Sequence, residues 1–478
     1  MSPESKWHGV AWGLLALAAL VAPWLLGGRA EVAPWVLGGL LWTVVPLVLL
    51  GVQADYRTWR VSAEYERRRG QATANPWKVF GRGLIRLLPL WLFLAILGMS
   101  LLNPAYRWEG EALVRQASID WLPLVIDPAR SGPGIFLLAG LLTALGLLAN
   151  PASGLERRLR HWLLAGLLVN AMVLCWTGLI FKLLGADLML GKFEPRAGYF
   201  FATFYYKNHW AAYAILYCGV AACFFFRDLR RWFTHARRAG TGGLALLALF
   251  FLGLTLPLAE TRSGILLFGI FGLVIGVGLY RKLFQRTLFS RLAILAAGLV
   301  VPLGFFYLSF DDLLHNWERT EGQIAQGDSL VFDAVRARHA PEVCLDMLGD
   351  RPAWGWGYLS YDPLFPVYAT AFFRDADGQL TVDMEFAHND WLQGLAEFGL
   401  AGSALAVLGV LGIGRMARGT RAFRGRVWIF LALGLLGIFA LWDFPFSNPA
   451  VLVNAAVLFL LARKGANPLL ARVVNGDD

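Results

Sequence analysis

Charged residues are scarce in this chain. They fill 16% of its 478 positions, against about 25% in an ordinary soluble domain. With 57% of residues in the AVILMFWYC class, this excludes a disordered chain, which needs low hydrophobicity and dense charge. Cysteine is also rare. Cys175, Cys218, Cys223 and Cys344 are the only four, three of them lie in apolar runs, and no disulfide framework can be drawn. Nucleotide and metal signatures are missing, since neither GxxxxGK[ST] nor HExxH occurs. Asp375-Ala-Asp377-Gly378 starts like a calcium loop, but Leu380 and Phe386 stand where that loop needs Gly and Glu. His315, His339 and His388 have no metal-ligand spacing. The expectation is chemistry without a metal or other cofactor. There is no solenoid repeat and no likeness between the two halves, which disfavours an inverted-repeat transporter.

Long apolar runs are what the chain has in abundance. A membrane span needs about 20 largely apolar residues. Twelve segments qualify, near 8–28, 33–52, 83–102, 132–150, 162–184, 209–226, 241–259, 264–280, 292–310, 399–414, 427–443 and 449–463. The first is read as a span and not a cleaved leader, because Pro23 and Trp24 do not make a small-residue cleavage site. Twenty Trp and 52 Gly suit such a protein. The net charge of +10 is a topology signal. Loops 53–82, 151–161, 227–240, 281–291 and 415–426 together hold 24 Lys and Arg but only 5 Asp and Glu. The positive-inside rule sets these loops in the cytoplasm, along with both termini. Membrane lipids are expected partners and nucleic acid is not. The hydrophilic segment 311–390, with 15 Asp and Glu against 5 Arg, falls outside. The expected organisation is nine spans over 1–310, an external loop domain over 311–398, and three spans with a short tail over 399–478.

Four external segments carry candidate chemistry. In Phe386-Ala-His388-Asn389-Asp390-Trp391-Leu392-Gln393, Asn389 or Asp390 is a good helix N-cap. Gln393 and Glu397, four apart, share one helix face. His388 then stands at the helix entrance, where an imidazole can take a proton from a hydroxyl. A histidine that only caps a loop is the competing reading. Glu260-Thr261-Arg262-Ser263-Gly264 wedges an arginine between two spans, as a phosphate ligand, as an interface residue or as the ion partner of Glu260. Arg336 and Arg338 stand out in an acidic loop, as anion ligands or as charge balance for Asp333 and Glu342, with Pro341 at an expected helix start. Tyr205-Tyr206-Lys207-Asn208-His209-Trp210 is either an anion-attracting mouth or an aromatic belt with a snorkelling lysine. Trp354-Gly-Trp356-Gly357 reads as a tight turn whose rings stack on sugars or line the interface. Asp377-Gly378 is the expected turn of a hairpin joining 371–373 to 380–382.

These segments, in this order, resemble the O-antigen ligase and Wzy-type polymerase superfamily of bacterial envelope glycan enzymes. Lys207-Asn208-His209 matches the family's N-[KR]-N-H, with Tyr206 departing at its first position. Thr261-Arg262-Ser263-Gly264 is similar to S-R-x-G, Pro352 to Gly357 to P-x-x-G-x-G, and Phe365-Pro366-Val367-Tyr368 to the FPLY of one subgroup. Ala387 to Gly402 is similar to its AHNDxLQxLxExG motif almost throughout. The family's loop arginine would fall at position 337, which here is Ala, so Arg336 and Arg338 are both carried. The resemblance implies an all-α polytopic membrane protein of the GT-C type, with about twelve spans and one large, partly helical periplasmic loop. It implies a glycan donor on undecaprenyl pyrophosphate. The acceptor would be lipid A core for a ligase, a second lipid-linked glycan for a polymerase, or a protein for an oligosaccharyltransferase. It also implies the bacterial inner membrane, with the site facing the periplasm. His388, Arg262 and Arg336 or Arg338 would be catalytic. Lys207, Asn208, His209, Asn389, Trp356, Tyr368, Gln393 and Glu397 would bind substrate. A lipid-linked glycan transporter is the alternative from a different class.

Overall fold

The computed structural model describes residues 5–68, 74–109, 112–191, 193, 200–235, 242–283, 328–375, 377–382, 384–417 and 425–463. These are mostly helical. The bundle helices are α1 (Ser5–Val21), α2 (Ala33–Trp42), α3 (Val44–Arg68), α4 (Pro76–Arg86), α5 (Leu88–Leu101), α6 (Pro128–Ala149), α7 (Arg157–Leu183), α8 (Lys207–His235), α9 (Gly242–Leu258) and α10 (Arg262–Leu283). After them come α11 (Asp328–Asp350), α12 (Tyr361–Tyr368), α13 (Asp390–Met416), α14 (Arg426–Phe439) and α15 (Pro449–Arg463). Among the described residues, seven helical stretches are long and apolar enough to cross a membrane. An eighth appears if α4 and α5, bent by 63° at Leu87, count as one. Pro89, in the first turn of α5, removes a backbone donor at that bend. Eleven of the twelve expected segments coincide with helices, and 292–310 lies outside the described residues. Helices α9, α14 and α15 hold only 17, 14 and 15 residues. At about 1.5 Å per residue they fall short of a hydrocarbon core of about 30 Å.

Helix α8 is the axis of the bundle. Of its span window, 94% is buried, against 17% for α10 at the periphery. It packs against α9 and α14, and the main core runs along it. Small residues allow this closeness. An added Cβ on Gly219 would meet the Trp428 carbonyl oxygen at 2.8 Å, so α14 lies directly on the α8 backbone. Local sequence sets the helix starts. Asn75 and Asp127 accept hydrogen bonds from the first turns of α4 and α6, and each is followed by a proline at the first helical position. The four cysteines are all buried and free.

A second core sits at one end of the bundle. It joins Ala340, Val343, Cys344 and Met347 of α11 to Tyr361, Leu364 and Phe365 of α12, and takes in Ala105, Leu124 and Ile126 from the 102–127 connection. That connection also carries a two-stranded antiparallel hairpin, β1 (Tyr106–Glu109) and β2 (Ala112–Arg115), with Tyr106 opposite Arg115. The all-helical expectation therefore holds for the bundle and needs this correction in the outer layer. Arg351 ties the layer together by donating to the carbonyls of Asp120 and Leu122 at 2.8 and 3.0 Å. Two further expectations change. Pro341 lies inside α11, not at its start. The hairpin expected at Asp377-Gly378 shrinks to one bridge between Arg374 and Leu380, with Ala371–Phe373 a 3-10 turn. The Asp375 carboxylate captures the N–H groups of Asp377 and Gln379 at 3.0 and 2.8 Å, while Phe373 is drawn into the second core.

Candidate functional site

His388 stands one residue before a tightly held helix start. Asn389 is the N-cap of α13, extended at φ −158°, and its side chain accepts from the Leu392 N–H at 3.0 Å. Its amide donates to the Leu441 carbonyl at 3.0 Å. The Asp390 carboxylate accepts from the Phe446 N–H at 2.6 Å and the Ser447 hydroxyl at 2.7 Å. Trp391 donates to the Gly437 carbonyl at 2.9 Å. The motif is thereby fastened to the turn between α14 and α15. His388 itself has φ 50°, a left-handed conformation that costs a side-chain-bearing residue about 1–2 kcal/mol. Docking on both sides of it supplies what holds that conformation.

Phe444, in the same turn, gathers the aromatic groups of the site. Phe386 stacks on it with centroids 4.6 Å apart and planes at 11°, and Tyr206 at 5.3 Å and 6°. His388 and His209 both meet it edge-on, at 4.6 and 5.0 Å. Edge-to-face and offset contacts are the favoured aromatic geometries, so one ring fixes the position of both imidazoles. Sequence reasoning missed Phe444. The available signal was the polar, proline-containing turn Asp443-Phe444-Pro445-Phe446-Ser447-Asn448 between two apolar runs.

On one flank the starts of α8 and α10 are stitched together. Asn208 donates to the Asp443 carboxylate at 2.5 Å and to the Tyr206 hydroxyl at 2.9 Å, and accepts from the Thr261 hydroxyl at 2.8 Å. Thr261 in turn accepts from the Gly264 N–H at 3.2 Å, inside the first turn of α10. Arg262 is the first residue of α10 and is exposed at this end. Lys207 begins α8 beside Asn208, half-buried. His209 is buried, with Nδ1 3.3 Å from the Asn448 amide. Glu260 approaches Lys182 at 3.9 Å. The structure thus joins Asn208, His209 and Thr261 to the His388 turn. The side chains of Arg336 and Arg338 lie outside the described residues, although both positions belong to α11.

On the other flank a cavity of about 220 Å³ opens beside Phe386. Arg29, from the connection after α1, lies 5.1 Å over the Phe386 ring and donates to Glu385 at 3.3 Å. Arg130, at the start of α6, forms an ion pair with Asp362. Gln393 and Glu397 line the floor and are both buried. Gln393 accepts from the Ala387 N–H at 3.0 Å and donates to Glu397 at 2.9 Å. Glu397 accepts in addition from the Leu359 N–H at 3.1 Å. The pair expected to bind substrate therefore also holds the backbone next to His388. Tyr358 lines the same cavity. Burial, then Glu397 and Asp390, push its hydroxyl above the ordinary tyrosine range, so it stays protonated.

The turn after α11 locks into a break in α13. Gly399 has φ 65° and ψ −178°, which interrupts the helical ladder. The freed carbonyls of Ala396 and Glu397 accept from Trp356 and Gly357 at 3.1 and 2.8 Å, while Leu400 and Ala401 donate to Pro352 and Ala353 at 2.8 and 3.0 Å. Gly355, Gly357 and Gly399 all have positive φ, and a Cβ on any of them would strike backbone atoms of a neighbouring segment. Trp356 and Tyr368 sit in the second core and do not line the cavity. Trp356 donates to the Met347 carbonyl at 2.9 Å and Tyr368 to Asp350 at 2.6 Å. Burial, then this hydrogen bond, raise the Tyr368 hydroxyl above its ordinary range.

Among the described residues, no group of three His, Cys, Asp or Glu side chains could hold a metal ion. No curated protein and no solved structure matches the chain. Residues 247–407 match the family model described as O-antigen ligase. That stretch runs from α9 through the outer layer into α13, so it contains Thr261 to Gly264, the α11 arginines, the interlocked turn and His388, but neither α8 nor Phe444. Several long apolar helices and this match together mark a multi-pass membrane protein whose 247–407 segment is similar to the O-antigen ligase family.

Proposed function

We propose that the protein is an O-antigen ligase-like glycosyltransferase that moves a glycan from undecaprenyl pyrophosphate to a hydroxyl of lipid A core. The observation that carries this reading is the position of His388. It is held in a left-handed conformation against Phe444, between the stitched starts of α8 and α10 and the Arg29 cavity. In this reading His388 takes the proton of the acceptor hydroxyl. The hydroxyl oxygen bonds to the anomeric carbon from the face opposite the lipid phosphate, and the carbon–oxygen bond to pyrophosphate breaks with inversion. Arg262, Lys207 and Arg336 or Arg338 offset the charge gathering on the leaving pyrophosphate. Asn389 holds the His388 turn, and Asn208 and His209 hold the flank facing it. No step uses a metal.

The wider arrangement proposed is a GT-C-like protein of twelve spans in the bacterial inner membrane. Both termini are cytoplasmic, residues 1–310 and 399–478 form the spans, and 311–398 form the periplasmic loop domain. A polymerase extending lipid-linked repeats is the second reading, favoured by Phe365-Pro366-Val367-Tyr368. One experiment separates the two. The purified protein is incubated with an undecaprenyl-pyrophosphate-linked oligosaccharide, alone and with lipid A core, and the products are weighed by mass spectrometry. Transfer only when lipid A core is present establishes the ligase. Longer lipid-linked chains without it establish the polymerase. Movement of the donor across proteoliposomes without chemistry sinks both in favour of a transporter.

A further inference from the structure

The cavity beside Phe386 has a lining that does not suit pyrophosphate. It carries two guanidiniums, Arg29 and Arg130, against four carboxyl groups, Glu31, Asp362, Glu385 and Glu397. Acids outnumber cations, so a multiply charged anion would meet net repulsion. A lipid tail is equally unsuited, because six ionisable groups face the space. Both arginines are already paired, Arg29 with Glu385 and Arg130 with Asp362. Each pair offers fixed N–H donors beside carboxylate acceptors. Adjacent sugar hydroxyls, which both donate and accept, complement such a pair.

Shape and position agree with this chemistry. The volume of about 220 Å³ lies below the ~300–1,000 Å³ typical of drug-sized ligands and suits one sugar ring. Tyr358, Leu137 and the edge of Phe386 supply apolar lining for its C–H groups. The cavity also adjoins the proposed base. Phe386 stacks on Phe444, against whose edge His388 lies, and Gln393 of the floor accepts the N–H of Ala387. Arg262 and Lys207 lie on the opposite flank, at the starts of α10 and α8.

We propose that this cavity is the acceptor subsite: it binds one neutral sugar ring of the acceptor glycan through the Glu31 carboxylate and the Arg29–Glu385 and Arg130–Asp362 pairs and presents a hydroxyl to His388. The inference rests on the glycosyl-transfer reading for its role and on the lining for its ligand. It separates the substrates by charge, with the anionic donor at the α8 and α10 starts and the neutral acceptor sugar between α1, α6 and α13.

The test uses the full chain in lipid nanodiscs. Saturation-transfer NMR measures binding of methyl glucoside and methyl galactoside, with glucuronate as the anionic probe. Native mass spectrometry measures retention of undecaprenyl pyrophosphate. The wild type is expected to bind at least one neutral glycoside and to bind glucuronate more weakly. Glu385→Gln and Glu31→Gln are expected to weaken the neutral glycoside about tenfold, the effect of losing one hydrogen bond to a charged group, while still retaining undecaprenyl pyrophosphate. Arg262→Ala is expected to do the reverse. Glu31 is exposed, so its variant keeps the test valid if the half-buried Arg29–Glu385 pair proves necessary for folding. Failure of the wild type to bind either neutral glycoside overturns the subsite, as does unchanged binding in both Gln variants or stronger binding of glucuronate. Loss of undecaprenyl pyrophosphate in Glu31→Gln also overturns it, since the cavity then serves the donor. Sugar binding without any retention of undecaprenyl pyrophosphate leaves the subsite standing and removes the donor assignment.

Discussion

At the scale of single residues, His388 combines strain with exposure to the site. Its φ of 50° is one that glycine adopts without penalty. Replacing it by Ala removes the imidazole but keeps the Cβ, whereas Gly removes both. His388→Ala and His388→Gly are therefore both expected to lose transfer by about 10²–10⁴-fold, the usual worth of a general base. They should differ in stability, with His388→Gly melting higher than His388→Ala. Transfer rates on the lipid-linked donor and thermal scans of the same samples check both statements. Full activity in either variant would remove the base assignment. Neighbouring residues play a different part. Asn389→Ala removes a helix cap, which costs about 0.5–2 kcal/mol, and also the bond to Leu441. Its loss of activity is expected to accompany a lower melting temperature.

At the scale of elements, two glycines in one helix make opposite predictions. Gly394 has nothing within 4 Å of an added Cβ and has helical geometry. Gly394→Ala should stabilise α13 by about 0.5–1 kcal/mol. Gly399 sits five residues on, at the break, where a Cβ would strike the carbonyl of Ala353. Gly399→Ala should destabilise the protein and loosen the turn that seats Glu397. Paired melting curves check the contrast, and equal shifts would mean that the interlock of Pro352–Gly357 with α13 is absent. The same elements show what the sequence made legible. The Asn389 cap and the Gln393–Glu397 pairing follow from local spacing, and both are present. Eleven expected spans fall on helices because a run of apolar residues that long has few other uses. Contacts between residues far apart in sequence were not legible. Arg29 meets Glu385 across 356 positions, and Asn208 meets Asp443 across 235. No periodicity in either segment encodes the other. The β1–β2 hairpin was missed because its two four-residue strands are too short to show alternation against a helical background.

At the scale of the whole molecule, the site is assembled from parts of the chain that a linear division keeps separate. The α1–α2 connection supplies Arg29, α6 supplies Arg130, α8 supplies Asn208, and the α14–α15 turn supplies Asp443 and Phe444. All of them converge on the outer layer around His388. The functional reading therefore requires that this layer face the periplasm and that the basic loops face the cytoplasm. The chain offers a clean way to check it. Cys175, Cys218, Cys223 and Cys344 are all buried, so a membrane-impermeant maleimide should find little background on the folded protein. Asp377 in the outer layer and Arg158 at the start of α7 are both exposed. Asp377→Cys should be labelled in cells whose outer membrane alone has been opened. Arg158→Cys should be labelled only once the inner membrane is opened too. Burial also pushes the Cys344 thiol above its ordinary range, so it stays protonated and unreactive toward the maleimide at the pH of labelling. Reversed labelling would put His388 in the cytoplasm, where a nucleotide-sugar donor is the natural substrate, and the lipid-linked donor would have to be abandoned along with the acceptor subsite.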